Sequence, residues 1–282
     1  MKTYLLKLQS LGVGVGLTLG AVMVLSMFAW TTASADVAVT KHNLGSTGLV
    51  TVPIGNTYDG TTEVCVFCHT PHGADSSTAV PLWNKNLAAL GGYTTYDSLG
   101  TSSLDGAIAP VGSVSIACLS CHDGTQAMDA VLNAPGSGAV VATYTAGNWT
   151  GGNQTAGQLT GIANLGQDLT DDHPIGIQYG GGGLTDGAPT GTTNDLDFVA
   201  PATDLINGTQ VWWVDTAGGT TDFREKEDMQ LYTRLDADTG LTGGPQPFVE
   251  CASCHDPHSE VQPMFLRISN DGSAVCLACH IK

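Results

Sequence analysis

Hydrophobic and polar positions follow no sustained helical or strand period along most of this 282-residue chain. The clearest helical spacing is in EKEDMQLYTRL, which begins at Glu225 and would cover about three turns. Glycine-rich stretches such as YGGGGLTDGAPTGTTND separate the apolar positions, and there glycine permits positive φ while Asn and Asp favour turns. The pattern predicts a mostly irregular, coil-like fold with short helices and few strands.

One long apolar run, residues 11–30, breaks this pattern near the N-terminus. It follows Lys2 and Lys7 and precedes TTASA, whose alanines form an A-x-A site, an arrangement typical of a signal peptide over residues 1–35. An uncleaved membrane anchor is the alternative, because the run approaches the length that spans a bilayer. The glycines and the A-x-A site favour cleavage, so we expect an exported domain over residues 36–282 with no permanent membrane span.

The composition is acidic and poor in large side chains. Nine Lys and Arg against 26 Asp and Glu give a formal charge of −17, and loss of the two signal-peptide lysines would make it −19. Such a charge repels phosphate backbones, so we expect no nucleic-acid partner. Aromatic residues make up 6% of the chain, which predicts a weak conventional core organised by something other than side chains.

All eight cysteines belong to one repeated pattern, C-x-x-C followed directly by histidine. This pattern marks covalent haem c attachment, in which two thiols add to the vinyl groups of a haem and the histidine binds its iron. We therefore predict four haem c groups in one haem-organised cytochrome c domain. In chain order the motifs are Cys65, Cys68 and His69; Cys118, Cys121 and His122; Cys251, Cys254 and His255; Cys276, Cys279 and His280.

Other uses of C-x-x-C fit less well. Disulfides staple small exported domains, but they give no reason for a histidine after every second cysteine. Zinc can take two C-x-x-C pairs, yet it would not need that histidine four times. A thioredoxin-like motif occurs once, near a βαβ pattern that this sequence lacks.

The histidines match the predicted haems in number. The chain has eight, and four irons with two axial positions each need eight ligands, so histidine at every position would use the whole supply. Met128 and Met264 lie near the motifs and are rival ligands, but we interpret both as core packing residues. The four histidines outside the motifs, the predicted distal ligands, are His42, His72, His173 and His258.

The first and third motifs, CVFCHTPH and CASCHDPH, carry a second histidine three residues after the first. On a helical turn, Cβ atoms three residues apart are about 5–6 Å apart, whereas the Cα atoms of two histidines sharing one iron are about 12 Å apart. The second histidine must therefore serve another iron. Sequence proximity assigns His72 to the second haem and His258 to the fourth, leaving His42 and His173 for the first and third.

The segments KHNLGSTG, CVFCHTPHGA, PLWN, CLSCHDGT, DDHPIG and CASCHDPH resemble those of exported multihaem c-type cytochromes of metal-reducing bacteria. They are most similar to the tetrahaem outer-surface cytochromes that polymerise into extracellular filaments. The resemblance implies paired, stacked haems, little regular secondary structure and distal roles for the four remaining histidines. It also implies ligation of a haem in one subunit by a histidine of the next. Residues 123–250 then form a long glycine-rich insertion between the second and third motifs.

These expectations predict an electron carrier rather than an enzyme, at the cell surface, outside the cell or in the periplasm. Filled axial positions leave no iron free to bind a substrate. The partners would be other redox proteins, extracellular electron acceptors or further copies of the chain. A multihaem reductase with one open iron and a membrane-anchored tetrahaem quinol oxidase are the alternatives.

His42 would be the seventh residue of the exported chain, on an N-terminal arm whose NLGSTG composition predicts flexibility. Such an arm can fold back to a haem of its own chain or extend to that of a neighbour. Loop closure over this length costs little entropy, so the physics alone leaves both open. The resemblance favours the neighbour.

Overall fold

The computed structural model describes five stretches of the chain, and the predicted signal peptide lies outside them. Within these stretches every helix is too short or too polar to cross a membrane. From residue 36 onward the chain packs as one unit. The described residues are 36–48, 55–87, 90–136, 144–216 and 223–281.

The largest element is a five-stranded antiparallel sheet with strand order β5-β9-β8-β7-β6. All five of its strands come from the region between the second and third motifs. The strands are β5 (Ile177–Gln178), β6 (Ala202–Ile206), β7 (Thr209–Val214), β8 (Met229–Arg234) and β9 (Gln246–Val249).

A tight turn at Asn207 and Gly208 joins β6 to β7. Both residues have positive φ, 52° and 78°, and Ile206 pairs directly with Thr209. Two consecutive positive φ angles define the hairpin turn whose twist matches that of the flanking strands, and Asn-Gly is its preferred sequence. This dipeptide therefore sets the register of the hairpin.

The middle of the sheet supplies a core that also touches the third and fourth motifs. Trp212 and Val214 on β7 are fully buried, and Met229 on β8 is 1% exposed. Cys254 and Cys279 pack against the same cluster. These two cysteines thus pack against the core of the sheet.

Two small two-stranded sheets and four short α-helices accompany the large sheet among the described residues. Helix α2 follows β8, and the other three helices each carry a cysteine motif. The elements are β1 (Thr57–Tyr58) paired with β2 (Trp149–Thr150), β3 (Gln154–Thr155) paired with β4 (Gln158–Leu159), α1 (Ser113–His122), α2 (Asp236–Thr239), α3 (Cys251–Cys254) and α4 (Ala274–Cys279).

The prediction of a mostly irregular chain with few strands is wrong. The helical spacing seen in EKEDMQLYTRL is coincidental, because Met229 to Arg234 form a strand whose buried side chains include Met229 and Leu231, two positions apart. That spacing places both on one face of a strand. Glycines concentrate in the turns and leave the strands free to pair, so a high overall glycine content hid a regular sheet.

The side-chain core is better organised than the predicted weak core, because the aromatic residues are concentrated rather than scattered. A second cluster gathers Tyr58, Phe67 and Tyr144, with Trp149 packed against it. The ring centres of Tyr58 and Tyr144 are 5.2 Å apart in an edge-to-face arrangement, which aromatic pairs prefer. A low average content therefore still builds a core.

The two methionines behave differently from each other. Met128 is 2% exposed and packs in the aromatic cluster, as predicted. Met264 is 63% exposed, so its interpretation as a core residue is wrong. It has a left-handed φ of 59° in a short turn, where the backbone and not the side chain makes the useful contact.

Candidate haem-binding site

Each cysteine motif lies on a short helical turn. The first begins with the 3-10 turn Cys65–Phe67, the second ends α1, the third forms α3 and the fourth ends α4. A turn of this length presents two residues three apart on one side, with the histidine directly after them. The backbone N–H of His69, for example, donates to the Cys65 carbonyl at 2.8 Å. The local fold therefore presents two thiols and one imidazole together.

In space, each cysteine pair lies next to the pair that precedes or follows it in the sequence. Cys68 of the first motif and Cys121 of the second pack against the same aromatic cluster. Helix α1, which carries the second motif, packs on α3, which carries the third, and the backbone N–H of Cys251 donates to the Ser115 hydroxyl on α1 at 2.9 Å. The third and fourth motifs share the cluster under the sheet. The attachment points thus follow one another as first, second, third and fourth.

The cysteines are unpaired, which leaves each thiol available for a thioether bond; Cys65 and Cys276 are exposed and the other six are partly buried. All eight cysteines are free, and burial raises the pKa of the Cys68 and Cys279 thiols to about 12. A thiol with a raised pKa is a poor metal thiolate but an ordinary apolar side chain. Among the described residues, no three or more His, Cys, Asp or Glu side chains are grouped to hold a metal ion by themselves.

Two pairs of histidine rings have the spacing that one shared iron requires. The ring centres of His69 and His258 are 6.2 Å apart with planes 13° from parallel, and those of His42 and His122 are 6.3 Å apart at 74°. A ring nitrogen lies about 1.1 Å from the ring centre and binds a metal at about 2 Å, so two rings on one ion have centres about 6.2 Å apart. Both pairs fit an axial arrangement.

These pairs differ from those inferred from sequence proximity. His258 lies beside the histidine of the first motif, whereas sequence proximity assigned it to the fourth haem. His42 lies beside the histidine of the second motif, whereas it had been assigned to the first or third haem. The ligand assignments themselves stay predictions. Tertiary contacts explain the difference, since residues 257–260 pack against the N-terminal arm. Lys41 forms an ion pair with Glu260 at 2.5 Å. Distance along the chain does not capture these contacts, which bring His258 close to His69.

The N-terminal arm folds onto its own chain. The Nδ1 of His42 hydrogen-bonds the Pro257 carbonyl at 2.9 Å, and its ring stacks on Phe265 with centres 4.1 Å apart. Burial of the ring lowers the pKa of His42 to about 4, which keeps the imidazole neutral and able to bind a metal at neutral pH. Within this single chain His42 therefore contacts its own chain, and ligation of a neighbour's haem by His42 stays a prediction.

Backbone hydrogen bonds fix which ring nitrogen is free. A carbonyl oxygen only accepts, so a histidine whose Nδ1 bonds a carbonyl must carry its proton there and leave Nε2 with a lone pair. Metal-binding histidines in proteins are typically oriented in this way. The bonds are His42 to Pro257 at 2.9 Å, His69 to Pro81 at 2.9 Å, His122 to Ala163 at 2.7 Å, His173 to Pro174 at 3.1 Å and His255 to Met264 at 2.8 Å. With Nδ1 protonated and Nε2 free, these histidines are suited to bind haem iron.

The other distal candidates are less fully defined. His173 lies close enough to His280 that, after burial, the charge of His280 helps to lower the pKa of His173. His72 and His255 are both exposed. The Nδ1 of His258 faces the carboxylate of Asp256 at 3.5 Å, a second route to the same tautomer.

A buried polar clamp, which the sequence analysis missed, joins the second and third motifs. Arg234 and Glu250 form an ion pair at 2.9 Å, and Ser115 donates to the other carboxylate oxygen of Glu250 at 2.5 Å. The hydroxyl of Ser115 accepts from the backbone N–H of Cys251 at 2.9 Å, and Arg234 also donates to the Pro110 carbonyl. The clamp fixes α1 against the start of α3.

Comparison with known families now adds one match. The family described as the doubled CXXCH motif matches residues 246–282, which hold the third and fourth motifs. The match supports a multihaem c-type cytochrome. It covers fewer than half of the residues, and no curated protein matches the chain. Haem c binding and electron transfer are thus supported by the motif, its geometry and this likeness.

Proposed function

We propose that this protein is a tetrahaem electron carrier in which two histidines fill the axial positions of every iron. The observation that carries this proposal is the spacing of His69 and His258, 6.2 Å between ring centres with nearly parallel planes. The two residues come from different motifs, so their approach serves no local fold. A haem bound at each motif supplies a one-electron couple.

The two doubled segments exchange their second histidines in this proposal. His258 of the third motif serves the first haem, and His72 of the first motif serves the third haem with His255. The first half rests on the ring spacing, and the second follows from the remaining ligands once His42 pairs with His122 and His173 with His280. Reciprocal exchange would hold these two haems close together, because each short segment then binds both.

Contacts between successive motifs set the order in which electrons would pass from haem to haem. Helix α1, which carries the second motif, packs on α3, which carries the third, and this packing keeps successive haems close. The clamp of Arg234, Glu250 and Ser115 holds the second and third motifs at a fixed separation. With every axial position filled, the protein would carry electrons without catalysing a reaction of its own.

Export and extracellular electron transfer form the finer part of the proposal. They rest on the apolar N-terminal run and on the resemblance to outer-surface cytochromes. Redox proteins, extracellular acceptors or further copies in a filament would be the partners. The resemblance favours a filament in which His42 extends to a haem of the next copy, whereas in the single chain it contacts the Pro257 carbonyl.

The decisive experiment combines intact-protein mass with the spin state of the oxidised protein. We expect four haem increments in the mass and only low-spin iron. A mass with fewer than four increments contradicts the cofactor count. Four increments together with a high-spin signal that responds to cyanide or nitrite would favour the reductase alternative, with the exposed His72 and His255 as the first place to look.

A further inference from the structure

A lysine is buried between the first two motifs. The side chain of Lys85 is fully enclosed by protein, with 0% exposure. Its Nζ donates to three backbone carbonyls, those of Ala127 at 3.1 Å, Met128 at 2.9 Å and Ala130 at 3.3 Å. Lysine is almost never fully buried unless it is paired, so the position needs an explanation.

The hydrogen bonds show that this lysine is charged. Three carbonyl acceptors require three N–H donors, which an ammonium has and a neutral amine lacks. Among the described residues, no carboxylate lies within ion-pair distance of Lys85. Carbonyl dipoles therefore solvate the charge without cancelling it, and a full positive charge remains inside the protein.

The charge lies beside the attachment site of the first haem. The preceding residue, Asn84, bonds that motif twice, from its N–H to the Cys68 carbonyl at 2.9 Å and from its side chain to the Val66 carbonyl at 2.6 Å. Met128, whose carbonyl accepts from Lys85, packs in the cluster that contacts Cys68.

We propose that Lys85 is a fixed internal charge that raises the reduction potential of the haem bound at Cys65 and Cys68. This inference rests on the proposed function. Ferric haem carries one more positive charge than ferrous haem, so a nearby cation disfavours the oxidised form. Because the charge is buried, salt screens it weakly. Electrons moving along the four haems would then reside preferentially on the first haem, at one end of the series.

A neutral replacement tests the proposal. A unit charge about 10 Å from a redox centre, at an effective dielectric constant of about 20, changes the ratio of ferric to ferrous iron roughly tenfold, which is about 59 mV for one electron. We expect Lys85→Gln, which keeps donors for two of the three carbonyls, to lower one of the four potentials by an amount of this order. Lys226→Gln, at a position 67% exposed, is the matched control and should change none.

The outcomes separate this inference from the proposed function. Four haems by mass with unchanged potentials in Lys85→Gln would overturn the role of Lys85 alone, whereas a wild-type mass without four haem increments would contradict the proposed function itself. If the variant fails to bind its haems, an NMR-monitored redox titration of the wild type decides. The first haem should then be reduced before the other three, and a later place in the sequence would refute the proposal.

Discussion

The imidazole rings of His69 and His258, which follow the first and third cysteine pairs, lie nearly parallel with their centres 6.2 Å apart. His69 is held through its Nδ1 by the Pro81 carbonyl, so its Nε2 is the nitrogen free to bind. In the proposed function this relationship would explain why the first and third motifs carry two histidines each. One histidine would serve the haem of its own motif, and the other would bind a haem held at a different motif.

Removal of a crossing histidine should open a haem at a distant motif. In His258→Ala we expect one high-spin iron, and it should be the first haem, although the substitution lies in the third motif. His72→Ala is the matched change in the other doubled segment and should open the third haem. NMR assignment of the high-spin haem checks both. Opening of the fourth haem in His258→Ala would contradict the exchange.

The buried clamp should matter more than any surface ion pair. Arg234→Met leaves the carboxylate of Glu250 enclosed without its partner, and breaking such a pair typically costs about 3–5 kcal/mol of unfolding free energy. Lys226→Met breaks an exposed pair with Glu227 at 3.7 Å and should cost under about 1 kcal/mol. Urea denaturation measures both variants. Equal effects in the two would show that the clamp does not hold the motifs.

Stability should fall in acid partly through His42. Its folded pKa is lowered, chiefly by burial, from 6.5 to about 4. Between these values the unfolded chain binds a proton that the folded chain does not, so the unfolding free energy decreases as pH falls from about 6.5 to 4 and is unaffected above this window.

His42→Met isolates this contribution, because methionine remains a haem ligand but does not titrate. The urea midpoint of the variant should drop less than that of the wild type between pH 7 and pH 4. Parallel pH profiles for the two proteins would show that His42 titrates normally and is not enclosed.

The β6–β7 turn gives a test of the fold itself. Gly208 has a φ of 78° and open space where a Cβ would be, so Gly208→Ala changes backbone strain without a clash. We expect a loss of about 1 kcal/mol, the usual cost of a left-handed residue with a side chain. Gly152 also has open space and no left-handed φ, so Gly152→Ala should be close to neutral. Similar urea midpoints for the two variants would contradict the assigned turn.

The sequence revealed the chemistry of the site better than its geometry. Cys251, Cys254 and His255 are recognisable because covalent attachment demands adjacent residues at a fixed spacing. The distal partners are set by tertiary contacts such as Lys41 with Glu260, which no local pattern encodes. Proximity along the chain therefore gives a different pairing from the one that the ring spacings favour.

The fold was hidden for a related reason. The strand at Met229 is too short for its two-residue period to stand out from a helical one, and its burial depends on neighbours far along the chain. Lys85 shows the same limit, since a lysine in PLWNKN looks like a surface residue until its three carbonyl partners are seen. Only the Asn-Gly turn was strongly marked by local sequence.

Electron paramagnetic resonance of the fully oxidised protein tests the central claim most directly, because it reports the axial ligands of every iron at once. The account predicts low-spin signals alone, and of two kinds, since the planes of His69 and His258 are 13° apart and those of His42 and His122 are 74° apart. Nearly parallel and crossed imidazoles give distinguishable low-spin spectra. A high-spin signal in the wild-type protein, or low-spin iron of a single kind, would contradict the account.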